Sequence, residues 1–228
     1  MTLVPFGELR ILAPPGVYTP RSDTALLASQ VHDVGGASVL ELCAGSGALA
    51  LTAAHRGAAR VVAVDRSARA VLAIRANARL NALQVDARRG NLLEALRDDE
   101  RFDLILANPP YLPVADGQAR RDDRWDAGPD GRDVLDRIIR GATRHLAPDG
   151  RLSIVQSDLA DIDMTVRMLA DHGLAVTHRL EHRGPLGPIA AARRDHLTSC
   201  GALTAGATDE VLAVITAQCT EEAQPVAA

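Results

Sequence analysis

Short apolar runs rich in β-branched residues alternate along this chain with helical patterns of ten residues or more. No other feature restricts the possible folds as much. The strand candidates are Ser38–Leu42, Arg60–Asp65, 103–108, 151–156 and 211–217, with weaker ones at 84–88 and 174–181. Helical patterns occupy 47–56, 67–80, 133–146 and 159–172. Strand, helix and strand in succession close as a βαβ unit, so the chain is expected to build an α/β fold with a mostly parallel sheet covered on both faces. Several of the runs are almost continuous Val, Leu and Ile, as a strand buried on both sides requires. The last two strand candidates break the rhythm. Only the breaker-rich stretch 184–188 and a short helical piece at 189–197 separate them, so the seventh and last strand is expected to run antiparallel to the rest.

A chain of 228 residues supports one substantial core rather than two. Residues 1–10 lack the basic start and apolar run of a signal peptide, and no run of about 18 apolar residues occurs. A cytoplasmic protein with no membrane partner is the expectation. Cys43, Cys200 and Cys219 are far apart and form no Cys-x-x-Cys pair, so no metal site or disulfide framework is expected. The net charge of −4 argues against a nucleic-acid partner, because gripping phosphates takes clustered positive charge.

Polar residues collect where the strand candidates end. In 39–47, Glu41 lies near a strand end, followed by the tight turn Cys43-Ala44-Gly45-Ser46-Gly47 into a helix. Gly45 and Gly47 let backbone approach a ligand, and the helix start offers free N–H groups. A plain strand-to-helix turn would read the same way. The next strand ends in Asp65, about twenty residues past the turn, the spacing at which an acid takes ribose hydroxyls. An N-cap for the following helix is the other reading of Asp65. A third strand leads to Gly90-Asn91, where an amide meets an adenine edge or simply makes a turn. Together these three strand ends resemble the cofactor-binding motifs of class I methyltransferases. The resemblance implies a Rossmann-like fold binding S-adenosyl-L-methionine, with Glu41 near the methionine moiety, Asp65 (and Arg66 beside it) at the ribose and Asn91 near the adenine. Relative to the similar turn of dinucleotide-binding proteins, Cys43 stands at the first glycine position and Ala50 at the last.

The most specific stretch is Asn108-Pro109-Pro110-Tyr111, which abruptly ends a buried run. Proline removes N–H donors and fixes φ, so carbonyls here are presented rigidly. A conjugated amide or exocyclic nitrogen is a poor nucleophile because its lone pair is delocalised. The Asn108 side-chain oxygen and the Pro109 carbonyl can each accept one N–H, aiming the lone pair at a methyl carbon, while Tyr111 stacks on the flat group. Upstream, 16–24 reads as a polar turn with Tyr18, Asp23 and Thr24, the last two being also possible caps for a helix at 25–31.

With these pieces the chain resembles the HemK-type protein-glutamine N5-methyltransferases over about residues 18–217. Asn-Pro-Pro-Tyr and the segment Pro20-Arg21-Ser22-Asp23-Thr24 carry the likeness. The family methylates the Gln of the Gly-Gly-Gln loop in peptide release factors. The resemblance implies that Thr24 touches the methionine carboxylate region and that Asn108 holds the substrate amide. It also implies residues 1–37 as an N-terminal segment and helix over the cofactor cleft, 38–220 as the methyltransferase domain and 221–228 as a tail. The length looks like the short branch of the family, whose members often work with a small zinc-binding activator subunit. Residues 60–64 would offer an edge for such a partner if the sheet order leaves them free. The loop at 112–132, which holds the only tryptophan, Trp125, is expected to cover the acceptor; a solvent loop with Trp125 folded onto the core is the other reading. A small-molecule acceptor suits the same clamp, and so does DNA adenine, although no target-recognition domain is evident. A cofactor-binding scaffold that activates a partner is the non-enzymatic alternative.

Overall fold

The computed structural model describes residues 2–115, 122 and 124–220. The tail at 221–228 lies outside them, as do 116–121 and 123 of the long loop. The strands are β1 (Thr2–Phe6), β2 (Leu9–Ala13), β3 (Ser38–Leu42), β4 (Arg60–Asp65), β5 (Asp86–Arg89), β6 (Phe102–Ala107), β7 (Leu146–Ser157), β8 (Leu174–Pro185) and β9 (Asp209–Cys219). The helices are α1 (Ser22–Ser29), α2 (Ala48–His55), α3 (Ala68–Leu80), α4 (Asp133–Ala142), α5 (Ile162–Asp171), α6 (Pro188–Ala192) and α7 (Arg194–Ser199).

Seven strands form one sheet in the order β5-β4-β3-β6-β7-β9-β8. Strands β3 to β7 pair in parallel, and β9 runs antiparallel to both of its neighbours. The last strand is therefore antiparallel as expected, but it is inserted between β7 and β8 rather than added at the edge. The strand order reverses between β3 and β6, and such a switch point opens a crevice at the carboxyl ends of the strands.

Both faces of the sheet are buried, which explains the lack of alternation in the strands. On β6, Leu104 and Leu106 face Leu27, Leu49 and Ile74 of α1, α2 and α3. Ile105 and Ala107 face Leu135, Ile138 and Leu169 of α4 and α5. Each such Leu or Ile side chain fully removed from water contributes about 1.5–3 kcal/mol.

Some boundaries differ from expectation. Helix α4 stops at Ala142, and a 3-10 turn at Thr143–His145 leads into β7 five residues earlier than 151. Pro148 and Gly150 are absorbed there by a register shift against β6. Strand β8 continues through Gly184 and Pro185, which pair with Glu210 and Asp209; proline is tolerated because β8 is an edge strand. Residues 60–64 offer no edge, since β4 lies between β3 and β5.

The β1–β2 hairpin is absent from the strand candidates of the sequence, where Pro5 and Gly7 interrupt any apolar run. Gly7 takes a left-handed φ of 58° in the turn. Two asparagines of α3 hold β2 by its backbone. Asn77 exchanges hydrogen bonds with Leu12 N (2.8 Å) and O (2.9 Å), and also donates to Ser46 O at 2.9 Å. Asn81 does the same for Arg10. Asn77 thus ties the hairpin and α3 to the glycine turn after β3.

Candidate active site

The carboxyl ends of β3, β4 and β6 surround a cleft of about 710 Å³, within the range of small-ligand and cofactor sites. Cys43, Gly45, Asp65, Arg66 and Asn91 line one side, Asn108 and Pro110 another, and Tyr18 a third. The glycine turn and the Asn-Pro-Pro-Tyr strand end, with 61 positions from Gly47 to Asn108, share this cavity because β3 and β6 are neighbours.

Steric demands explain the residues of the turn. Gly45 has φ 54°, and a Cβ there would meet Tyr18 Cβ at 3.1 Å; Gly47 has φ 82°, and its Cβ would press on Ile74 at 3.0 Å. Cys43 takes a left-handed φ of 56° although it has a side chain, a conformation that costs about 1–3 kcal/mol and tends to persist at functional sites. Burial, then the charges of Asp65 and Glu41, push its thiol well above the ordinary range.

Asp65 accepts from Gly45 N at 2.7 Å and from Ser67 N at 2.8 Å, one bond to each oxygen. Burial raises its pKa, and the two amides oppose that shift. Each carboxylate oxygen keeps a lone pair for a ligand hydroxyl. Ser67, not Asp65, caps α3, by accepting from Ala70 N. Asn91 lines the cleft and donates to Glu94 at 3.2 Å.

Glu41 is placed differently from what the resemblance implied. It is 3% exposed, and its carboxyl accepts the Ala50 amide of α2 at 2.8 Å behind the turn. Burial pushes it up to about 8, against the Ala50 and Leu49 amides. Thr24 and Tyr111 likewise turn to the protein. Thr24 Oγ1 accepts from Asn108 Nδ2 at 3.1 Å, and the Tyr111 hydroxyl donates to Asp23 at 3.0 Å. Pro109 is buried and Pro110 partly exposed.

Sequence reasoning treated Asp23 as a possible cap, yet it is the hub of the site. Tyr18 donates to both of its oxygens at 2.7 Å, and Tyr111 and Thr24 donate as well. Burial first, then the Asp23 charge, hold both phenols far above their usual range. A signal was present: the chain has two tyrosines, both in site segments, and buried phenols need an acceptor. Arg137, Arg124, Asp122 and Asp126, which also line the cleft, gave no such signal.

Trp125 meets Tyr18 edge-on at 5.0 Å between centroids and lies 5.0 Å beneath the Arg21 guanidinium. Its stretch of the loop runs beside 112–114, with Leu112 N donating to Trp125 O at 2.9 Å and Val114 N to Gly128 O at 2.9 Å. Asp126 is tied to Arg193, between α6 and α7. Among the described residues no group of His, Cys, Asp and Glu is arranged to hold a metal ion, and no helix is long and apolar enough to cross a membrane.

Comparison with known proteins places this geometry. The family model for the methyltransferase small domain matches residues 8–171. A Methanocaldococcus jannaschii protein with the provisional name protein N5-glutamine methyltransferase is 33% identical over 177 residues, covering 76% of this chain and 89% of that protein. The release factor glutamine methyltransferase of Streptomyces coelicolor is 33% identical over 168 residues, which span 67% of this chain but only 59% of the longer bacterial protein. The solved Mtq2–Trm112 complex of E. cuniculi, responsible for the methylation of the eRF1 translation termination factor, superposes with a TM-score of 0.62 at 20% identity, covering 90% of this chain and 99% of that one. The chain belongs to the methyltransferase small domain family and is a Rossmann-like class I methyltransferase with protein-glutamine N5-methyltransferases among its relatives.

Proposed function

We propose that this enzyme transfers a methyl group from S-adenosylmethionine to the side-chain amide nitrogen of a glutamine in a translation termination factor. One observation carries the reading: Asp65 with the glycine turn, and Asn108 with Pro110, wall a single cleft. The names of the relatives reported above supply the acceptor, and they name proteins rather than small molecules, so the small-molecule reading is not carried forward.

The residues fit the cofactor. Asp65 has two free lone pairs for ribose hydroxyls, Gly45 brings backbone against the ligand, and Asn91 stands at the adenine end. When bound, S-adenosylmethionine supplies a methyl carbon on a sulfonium, so that as the new N–CH3 bond forms the S–CH3 pair stays on sulfur and its charge disappears. The chain's own task is positioning and exclusion of water. Asn108 Oδ1 and the Pro109 carbonyl accept the two amide hydrogens and hold the nitrogen still. No strong base is needed beforehand, because the amide nitrogen becomes acidic as it is alkylated, and its proton passes to solvent when the cleft next opens to water. Asp122, Arg124 and Asp126, described residues of the stretch after Tyr111, border the same cleft.

The test is incubation of the chain with labelled S-adenosylmethionine and a termination factor bearing Gly-Gly-Gln, alone and with a candidate activator subunit. Label on that glutamine is the expected result. Absence of label in both arms, with cofactor shown to bind, rejects the assignment.

A further inference from the structure

The geometry points to Asp23 and Thr24 as positioning residues that decide which way round the Asn108 amide is held, an inference that rests on the reading of glutamine as acceptor. A hydroxyl has one hydrogen and two lone pairs. The Thr24 hydrogen goes to Asp23 Oδ1, at 3.2 Å. Its lone pairs receive the Arg21 amide at 3.3 Å and Asn108 Nδ2 at 3.1 Å. With its only hydrogen committed to a carboxylate, Thr24 Oγ1 can only accept, so Asn108 must offer it an N–H. An Asn108 carbonyl turned toward Thr24 would set oxygen against oxygen.

The direction originates at Asp23. An ionised carboxylate accepts and never donates, and four donors converge on this one: both tyrosine hydroxyls, the Thr24 hydroxyl and the Thr24 amide at 2.6 Å. Asp23 is 5% exposed and Thr24 4%, so water does not compete for these bonds. Every bond in the chain therefore runs toward Asp23, and Asn108 Oδ1 is left for the substrate. A glutamine amide can then approach with its NH2 group but not with its carbonyl, which would meet Oδ1 lone pair to lone pair. The relay selects nitrogen over oxygen as the atom to be methylated, and it gives Thr24 a role separate from cofactor binding.

Asp23→Ala tests the relay by removing the acceptor; Asp23→Asn would not, because the Thr24 amide at 2.6 Å and the Thr24 hydroxyl share Oδ1 and would keep the Asn carbonyl there. Without the carboxylate the Thr24 hydrogen is free to point at Asn108 and turn that amide around. The expected outcome is a fall in kcat of about a hundredfold, comparable to losing one transition-state hydrogen bond, with cofactor Kd within about twofold. Thr24→Val, isosteric without a hydroxyl, should lose about as much, and Thr24→Ser should recover about tenfold or more over Thr24→Val. A purely structural role would not show that recovery or the kcat-only effect. Wild-type kcat in Asp23→Ala, or Ser no better than Val, overturns the relay. A second readout is independent of turnover: nuclear Overhauser contacts between the Asn108 side-chain NH2 and the Thr24 methyl, expected in the wild type and lost in Asp23→Ala. Their absence in the wild type also overturns the relay. Their presence in a wild-type chain that methylates no glutamine overturns the functional reading alone.

Discussion

Two buried glutamates lie toward opposite ends of the same sheet and are stabilised in opposite ways. Glu100 sits at the amino ends of the strands, where Arg88 binds it at 2.7 and 2.9 Å, Arg60 pairs with it, and the Arg97 amide donates at 2.9 Å. These partners, Arg88 first, hold its carboxyl down at about 2. Glu41, next to the cleft, is just as buried but takes its hydrogen bonds from backbone amides of α2, and burial lifts it to about 8. The far end of the sheet is built for stability, with countercharges in place. At the cleft end Glu41, Asp65 and Asp23 take amides, phenols and a hydroxyl as donors, beside a left-handed Cys43. Local costs of that kind are what functional sites carry and the rest of the fold offsets.

The strongest way to break this contrast is Glu100→Ala. It strands Arg60 and Arg88, both partly solvated, and should lower unfolding free energy by about 2–4 kcal/mol, read from denaturant titration. Loss of less than half a unit would show the ion network to be ornamental. Acid titration sharpens the point. Glu100 has a folded value below its unfolded one, so its contribution is present above about pH 4.3 and disappears as pH falls toward about 2.

Glu41 should show the reverse slope. Its folded form binds more protons than the unfolded chain between about pH 4.3 and about pH 8, so stability falls as pH rises through that window. Glu41→Gln should therefore be more stable than the wild type by about 1–3 kcal/mol near pH 8.5, with a difference near zero at about pH 4. A variant that tracks the wild type at all pH values would mean Glu41 finds a countercharge in solution. The smallest effect belongs to Cys43→Gly. Relief of the left-handed strain exceeds the added freedom of the unfolded chain by about 0.5–1 kcal/mol, detectable as a rise in Tm.

Much of the cleft was legible in the sequence because its determinants are local. A glycine turn after an apolar strand, an acid about twenty residues on and Asn-Pro-Pro-Tyr are short patterns, and parallel pairing then forces their strand ends together. The hub at Asp23 was only hinted at by the two tyrosines, since it depends on residues 18, 23 and 111 meeting in space. The direction of Glu41 was also hidden. A strand residue near a ligand site can face either the ligand or the helix that follows, and only packing against α2 settles which. The β1–β2 hairpin escaped notice because its stability comes from Asn77 and Asn81 on α3, far along the chain, rather than from its own strand propensity. The place of β9 between β7 and β8 is likewise a matter of tertiary pairing.

Asp65 and Asn108 should fail in different ways if one cavity holds the methyl donor at one wall and clamps the acceptor at the other. The decisive measurement sets Asp65→Ala beside Asn108→Ala, with cofactor Kd from calorimetry and kcat from methylated product. The structure predicts that Asp65→Ala weakens cofactor binding about tenfold or more, while Asn108→Ala leaves Kd nearly unchanged and lowers kcat about a hundredfold or more. Equal losses of cofactor affinity in the two variants, or full turnover without Asn108, would contradict it.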